Sequence, residues 1–124
     1  FQTILAVGIG GFFGAISRFY ANIIISYRFP YEIPLATLIV NIVGSFLIGV
    51  FIAIFLHYKP ADTTRGFLVT GFLGALTTYS TFAIESFFLL NNSFWYAILN
   101  IFFNLVGSIF FAGSGYKIIQ FLLK

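Results

Sequence analysis

Charge is the scarcest feature of this sequence. Six basic and three acidic side chains make up 7% of its 124 residues, where a water-facing domain carries roughly a quarter. So few charges cannot coat a surface in water. Cysteine is absent, which excludes disulfides, thiolate metal sites and cysteine nucleophiles together. Methionine is absent even at position 1, so a native start further upstream is expected. His57 is the only histidine, which leaves metal centres and histidine-based acid–base chemistry without partners. A Ser/His/Asp assembly would need His57 to meet Asp62, and the glycines lie inside apolar runs rather than in a phosphate-binding loop. An enzyme is not expected.

Apolar residues are abundant, at 60% of the chain with 22% aromatic and a mean hydropathy of +1.07. The solvent implied is lipid, which requires no polar coat. The basic residues Arg18, Arg28, Lys59, Arg65, Lys117 and Lys124 are scattered, so no nucleic-acid face is expected.

About 20 apolar residues cross a bilayer core as a helix. Four stretches qualify: Thr3–Ile25, Leu35–Leu56, Gly66–Leu90 and Phe94–Leu122. The first is too long for a cleaved leader's apolar core and suits a retained span. Pro30, Glu32 and Pro34 gather in the first connection, and Lys59, Pro60 and Asp62 in the second. Pro34 suits a first helical turn, and Asp62 or Thr63 is expected to cap the third span. The chain, 1–124, thus reads as one all-α domain of four transmembrane helices. An even number of spans puts both termini on one side, and Lys59, Arg65, Lys117 and Lys124 favour that side being cytoplasmic.

Small residues at Ala6, Gly10 and Gly14, and at Ser45 and Gly49, mark faces where helices approach closely. Gly11–Ser17 resembles Gly71–Thr77, and Asn41–Ser45 resembles Asn104–Ser108. Both offsets are near 60 residues, as a duplicated helical hairpin would give.

Polar side chains in hydrocarbon are costly, so their placement is informative. Thr37, Asn41 and Ser45 share one face of the second span, and Asn100, Asn104 and Ser108 one face of the fourth. Adhesion between helices is one use for such stripes; a permeation or substrate path is the other. The third span carries Thr77-Thr78-Tyr79-Ser80-Thr81-Phe82 after Gly71 and Gly74. Hydroxyls and β-branching disfavour a continuous helix there, and an interruption is expected. Two ionisable groups lie within spans. Arg18 suits snorkelling, capping of carbonyls or attraction of anions, and Glu85 suits proton transfer, gating or pairing with Arg18.

Four blocks carry a family resemblance. Gly11–Tyr20, Thr37–Phe46 and Gly71–Phe82, with Asn104, Gly107 and Ser108, resemble the signature blocks of the Fluc (CrcB-type) fluoride channels, in order and spacing from first span to last. The resemblance implies a passive, fluoride-selective channel of the bacterial inner membrane. It implies an antiparallel dual-topology homodimer with two pores and a broken third helix. It puts Asn41 and Ser108 along the fluoride pathway, Tyr79 and Phe82 in aromatic box positions, and Ser80 and Thr81 on a nearby hydroxyl track. Glu85 falls toward one pore end and Arg18 near the mouth. It also implies a structural sodium ion at the dimer interface, held by the backbone carbonyls of Gly74 and Thr77. The family usually has phenylalanine where this chain has Tyr79. Two rival readings remain at this point: a small multidrug-type proton-coupled exporter, which needs a carboxylate that the first span lacks, and a non-transporting assembly subunit.

Overall fold

The computed structural model describes residues 1–124, and every regular element is helical. Helix α1 covers Gln2–Arg28 and α2 covers Leu35–Tyr58. The third span begins with α3, residues 62–76: an α-helical turn at Asp62–Arg65, a π-helix over Gly66–Leu73, and a last turn at Gly74–Leu76. Helix α4 (Tyr79–Asn92) completes that span, and α5 (Phe94–Leu122) forms the fourth. Four stretches are long and apolar enough to cross a membrane, residues 2–28, 35–58, 62–92 and 94–122. The chain is a multi-pass membrane protein.

The helices outrun the apolar stretches at several ends because Tyr27, Tyr58 and the charged residues beside them can stand at the lipid–water boundary. Tyr31, Trp95 and Tyr96 are likewise exposed at the connections. Helix α2 closes with Lys59 in the left-handed conformation (φ 51°), its N–H donating to the Phe55 carbonyl at 2.8 Å. The cap expected at Asp62 or Thr63 does not form. Ala61 occupies that position, extended and without a side-chain hydrogen bond, and Asp62 falls in the first turn. There its negative charge meets the positive end of the helix dipole without needing a cap bond.

Only 21 of the 124 residues are buried, and the apolar core is small, centred on Val40, Leu73 and Leu76. Phenylalanines and isoleucines instead cover the outside of α1, α4 and α5. With lipid on that side, the hydrophobic effect gives little reason for helices to associate, so close backbone packing must do so. Two parallel pairs supply it. In α1–α3, a Cβ at Gly10 would overlap the Phe67 carbonyl and one at Gly14 the Phe72 carbonyl. In α2–α5, a Cβ at Gly49 would overlap the Ala112 carbonyl and one at Gly115 the Phe46 carbonyl. The similar blocks noted in the sequence therefore lie side by side. Gly11 approaches Gly71, and Asn41 bonds Asn104.

Between Leu76 and Tyr79 the backbone is extended, at Thr77 (φ −84°, ψ 157°) and Thr78 (φ −148°, ψ 123°). Helix α4 restarts with Thr78 as its cap, the Thr78 hydroxyl accepting from the Thr81 N–H at 3.3 Å. Such a segment inside a span needs partners for each peptide group it releases.

Candidate functional site

Those partners come from polar side chains on neighbouring helices. The Asn41 side chain reaches Thr78 with both ends of its amide. Its Nδ2 donates to the Thr78 carbonyl at 3.0 Å, and its Oδ1 accepts from the Thr78 N–H at 2.8 Å. The second Nδ2 proton goes to Asn104 Oδ1 at 2.9 Å. Asn104 in turn donates to the carbonyl of Asn100 at 2.9 Å and to its side-chain oxygen at 3.2 Å. Asn100, fully buried, donates to the Ser86 hydroxyl at 2.9 Å. A continuous chain thus runs from Thr78 through α2 and α5 to α4. Every amide in it has a fixed orientation, because exchanging O and N at any one would set donor against donor or acceptor against acceptor.

The extended segment also frees carbonyls. In a continuous helix the Thr78 N–H would serve Gly74 and the Thr81 N–H would serve Thr77. Here Asn41 and the Thr78 hydroxyl capture those two N–H groups. Ala75 would receive the Tyr79 N–H, and instead accepts from Arg18 Nε at 2.9 Å. Of the uses open to Arg18 in the sequence, carbonyl capping is the one its geometry displays.

Two cavities lie on either side of Thr78, which lines both. The first, about 400 Å³, is lined by Arg18, Asn22, Thr37, Thr78, Thr81 and Glu85 among others. Glu85 Oε1 is buried there without a hydrogen-bond partner. Arg18 and Glu85 share this cavity, but the guanidinium is engaged with Ala75 rather than with the carboxylate. The second, about 270 Å³, is lined by Asn41, Ser45, Thr77, Thr78, Tyr79, Phe82, Asn104 and Ser108 among others. The Tyr79 and Phe82 rings meet edge to face, with centroids 5.5 Å apart, the positive edge of one ring against the negative face of the other.

Of the residues singled out in the sequence, Asn41, Tyr79, Phe82 and Ser108 thus share the second cavity, and Arg18, Thr81 and Glu85 the first. Ser80 is exposed and lines neither. Gly74, in the last turn before the extended segment, and Thr77, within it, have carbonyls released from helical pairing. Ser86 was not legible as part of the site, because a lone serine on α4 carries no pattern. Its place opposite the polar stripe of α5 is the only available cue.

The sequence profile of the family described as CrcB-like protein, Camphor Resistance (CrcB), matches residues 5–116. A protein of Sulfurimonas denitrificans named fluoride-specific ion channel FluC is 54% identical, over 99% of this chain and 97% of its own length. Proteins of the same name are 44% identical in Nautilia profundicola, over 100% of this chain and 98% of theirs, and 47% identical in Methanococcus maripaludis, over 86% of each.

Proposed function

This chain belongs to the CrcB family, and from that premise we infer that it is a passive fluoride-selective channel of the inner membrane, working as an antiparallel homodimer with two pores. Relatives of near-full-length similarity are named ion channels, and ion channels are not enzymes. A proton-coupled multidrug exporter finds no support beside them, and α1 holds no carboxylate for it.

The observation that carries this reading is the second cavity. It stands open on the face of a lipid-exposed protomer, with Tyr79 74% exposed beside the buried Asn41 and Asn104. Polar groups at that depth are costly against hydrocarbon. A second copy covering this face would close the cavity into a path. Fluoride is small and strongly hydrated, so the path must replace water with hydrogen-bond donors that hold the ion weakly enough to release it. Ser108, the wall at Asn41, and the Tyr79 and Phe82 ring edges provide such a surface, with Thr81 and Glu85 continuing it in the cavity beyond Thr78. Ser80, exposed, faces outward in the protomer and belongs to the path only through the second copy.

The residues present also fit a central cation. The Gly74 and Thr77 carbonyls lack their helical donors, and Gly74 is exposed at the protomer surface. Carbonyl oxygens are hard donors suited to a hard cation. Sodium held by these carbonyls from two copies would supply fixed positive charge and tie the two extended segments together.

Tyr79 stands where the family usually has phenylalanine. Tyrosine keeps the ring edge and adds a hydroxyl, so the expected result is conduction in the native protein and a changed but measurable rate in Tyr79→Phe. Flux absent from the native protein and restored by Tyr79→Phe would contradict this. The reading as a whole is tested in cells lacking their own fluoride export. Expression of this chain should restore growth in fluoride, whereas growth no better than with empty vector, despite membrane expression, counts against it.

A further inference from the structure

Most donors in the second cavity are spent on the protein itself, and the unspent ones are the Ser45, Ser108 and exposed Tyr79 hydroxyls. The four N–H bonds of Asn41 and Asn104 go to Thr78, Asn104 and Asn100. The Thr77 hydroxyl donates to the Leu73 carbonyl at 3.0 Å, and the Thr78 hydroxyl to Thr81 Oγ1 at 3.1 Å. A helical serine commonly does the same by bonding back one turn, as Ser114 does to the Phe110 carbonyl at 2.8 Å. Ser45 and Ser108 do not. Each is half-buried on the cavity wall with a hydroxyl that bonds no other group of the protomer. Their placement is paired. Asn41 bonds Asn104 and Gly49 abuts Ala112, both at an offset of 63 residues in the parallel α2–α5 contact. Ser45 and Ser108 stand at that same offset, one turn beyond the two asparagines.

Resting on the fluoride-channel reading above, we infer that Ser45 is a fluoride-contacting residue that acts with Ser108 as a pair of hydroxyl donors across the α2–α5 seam, while Asn41 and Asn104 are positioning residues. The asparagine chain, anchored on Asn100 and Ser86, holds Thr78 and sets the seam. The two unbonded serine hydroxyls, beside the Tyr79 and Phe82 rings, meet the ion. A hydroxyl suits the task because its proton rotates to follow a moving anion, whereas an amide locked at both ends cannot.

The test compares fluoride efflux from liposomes containing native protein, Ser45→Ala, Ser45→Thr, Ser45→Cys and Ser108→Ala, each first checked for native-like elution and melting. Ser45→Ala should slow efflux about tenfold, the loss of one hydrogen bond to a charged group, and Ser108→Ala should slow it comparably. Ser45→Thr keeps the hydroxyl and should stay within about threefold of native, while Ser45→Cys, nearly the same size but a weak donor, should resemble alanine. A purely structural role for Ser45 predicts the reverse order, with cysteine tolerated and the bulkier threonine not. Native-rate efflux through Ser45→Ala beside a slow Ser108→Ala overturns the assignment of Ser45 and leaves the channel reading standing. No fluoride efflux from native protein overturns the channel reading itself, and this assignment with it.

Discussion

Gly49→Ala is expected to prevent assembly of a stable, native-like protein, whereas Gly113→Ala, in the facing helix, should leave it unchanged. At Gly49 the added methyl would overlap the Ala112 carbonyl and come within 2.9 Å of the Tyr116 backbone nitrogen. Both obstacles are backbone, so no side chain can turn aside. Helices α2 and α5 must separate, and the Asn41–Asn104 bond at 2.9 Å is carried on the same pair. Overpacking of this kind costs about 1–3 kcal/mol, and breaking a buried polar chain adds about 1–3 kcal/mol for each group left unpaired. At Gly113 nothing lies within 4 Å of the new methyl. Thermal melting in detergent, followed by size-exclusion chromatography, separates the cases. Equal melting temperatures for Gly49→Ala and native protein would show that the seam is looser than its geometry indicates.

Asn41→Leu should abolish ion flux even where folded protein is recovered. The substitution keeps the approximate size and removes three hydrogen bonds at once. It strands the Thr78 N–H, the Thr78 carbonyl and Asn104 Oδ1. Each buried group left unpaired costs about 1–3 kcal/mol, and the extended segment loses the side chain that holds it open. The released Thr78 N–H can return to the Gly74 carbonyl, lengthening α3 across the wall between the cavities. Asn41→Asp should fail differently. It keeps an acceptor for the Thr78 N–H but turns its other oxygen toward the Thr78 carbonyl and Asn104 Oδ1, and its charge would repel an anion. Efflux near the native rate in Asn41→Leu would show that Thr78 is held by something else.

Much of this arrangement was legible in the residues themselves. The spans could be marked because interruptions such as Tyr27–Pro34 and Tyr58–Thr64 stand out against so apolar a chain. The stripes at Thr37, Asn41, Ser45 and at Asn100, Asn104, Ser108 followed from helical spacing alone, and they meet across α2 and α5 where Asn41 bonds Asn104 and where Ser45 and Ser108 line one cavity. The partners within the stripes were not legible. Periodicity gives the face of a helix and leaves its axial register open. That register is set by contacts such as Gly49 against Ala112, which depend on the whole packed pair. The same limit hid Ser86, whose role is defined by Asn100 rather than by its own neighbours in the chain. Asp62 or Thr63 could have capped the third span and neither does, since local side-chain preference yielded to a start at Ala61. The extended backbone at Thr77 and Thr78 lies at the front of the hydroxyl-rich cluster. Composition marked the segment, and Asn41, 37 residues away, selects the peptide group within it.

The central claim is that this chain conducts fluoride and excludes chloride, and the most direct test is efflux from liposomes. Purified protein is reconstituted with fluoride inside one set of vesicles and chloride inside another, and release is followed with ion-selective electrodes after valinomycin is added to balance charge. The account predicts rapid fluoride loss with chloride retained. Retention of both ions by vesicles shown to contain folded protein, or equal loss of both, would contradict it.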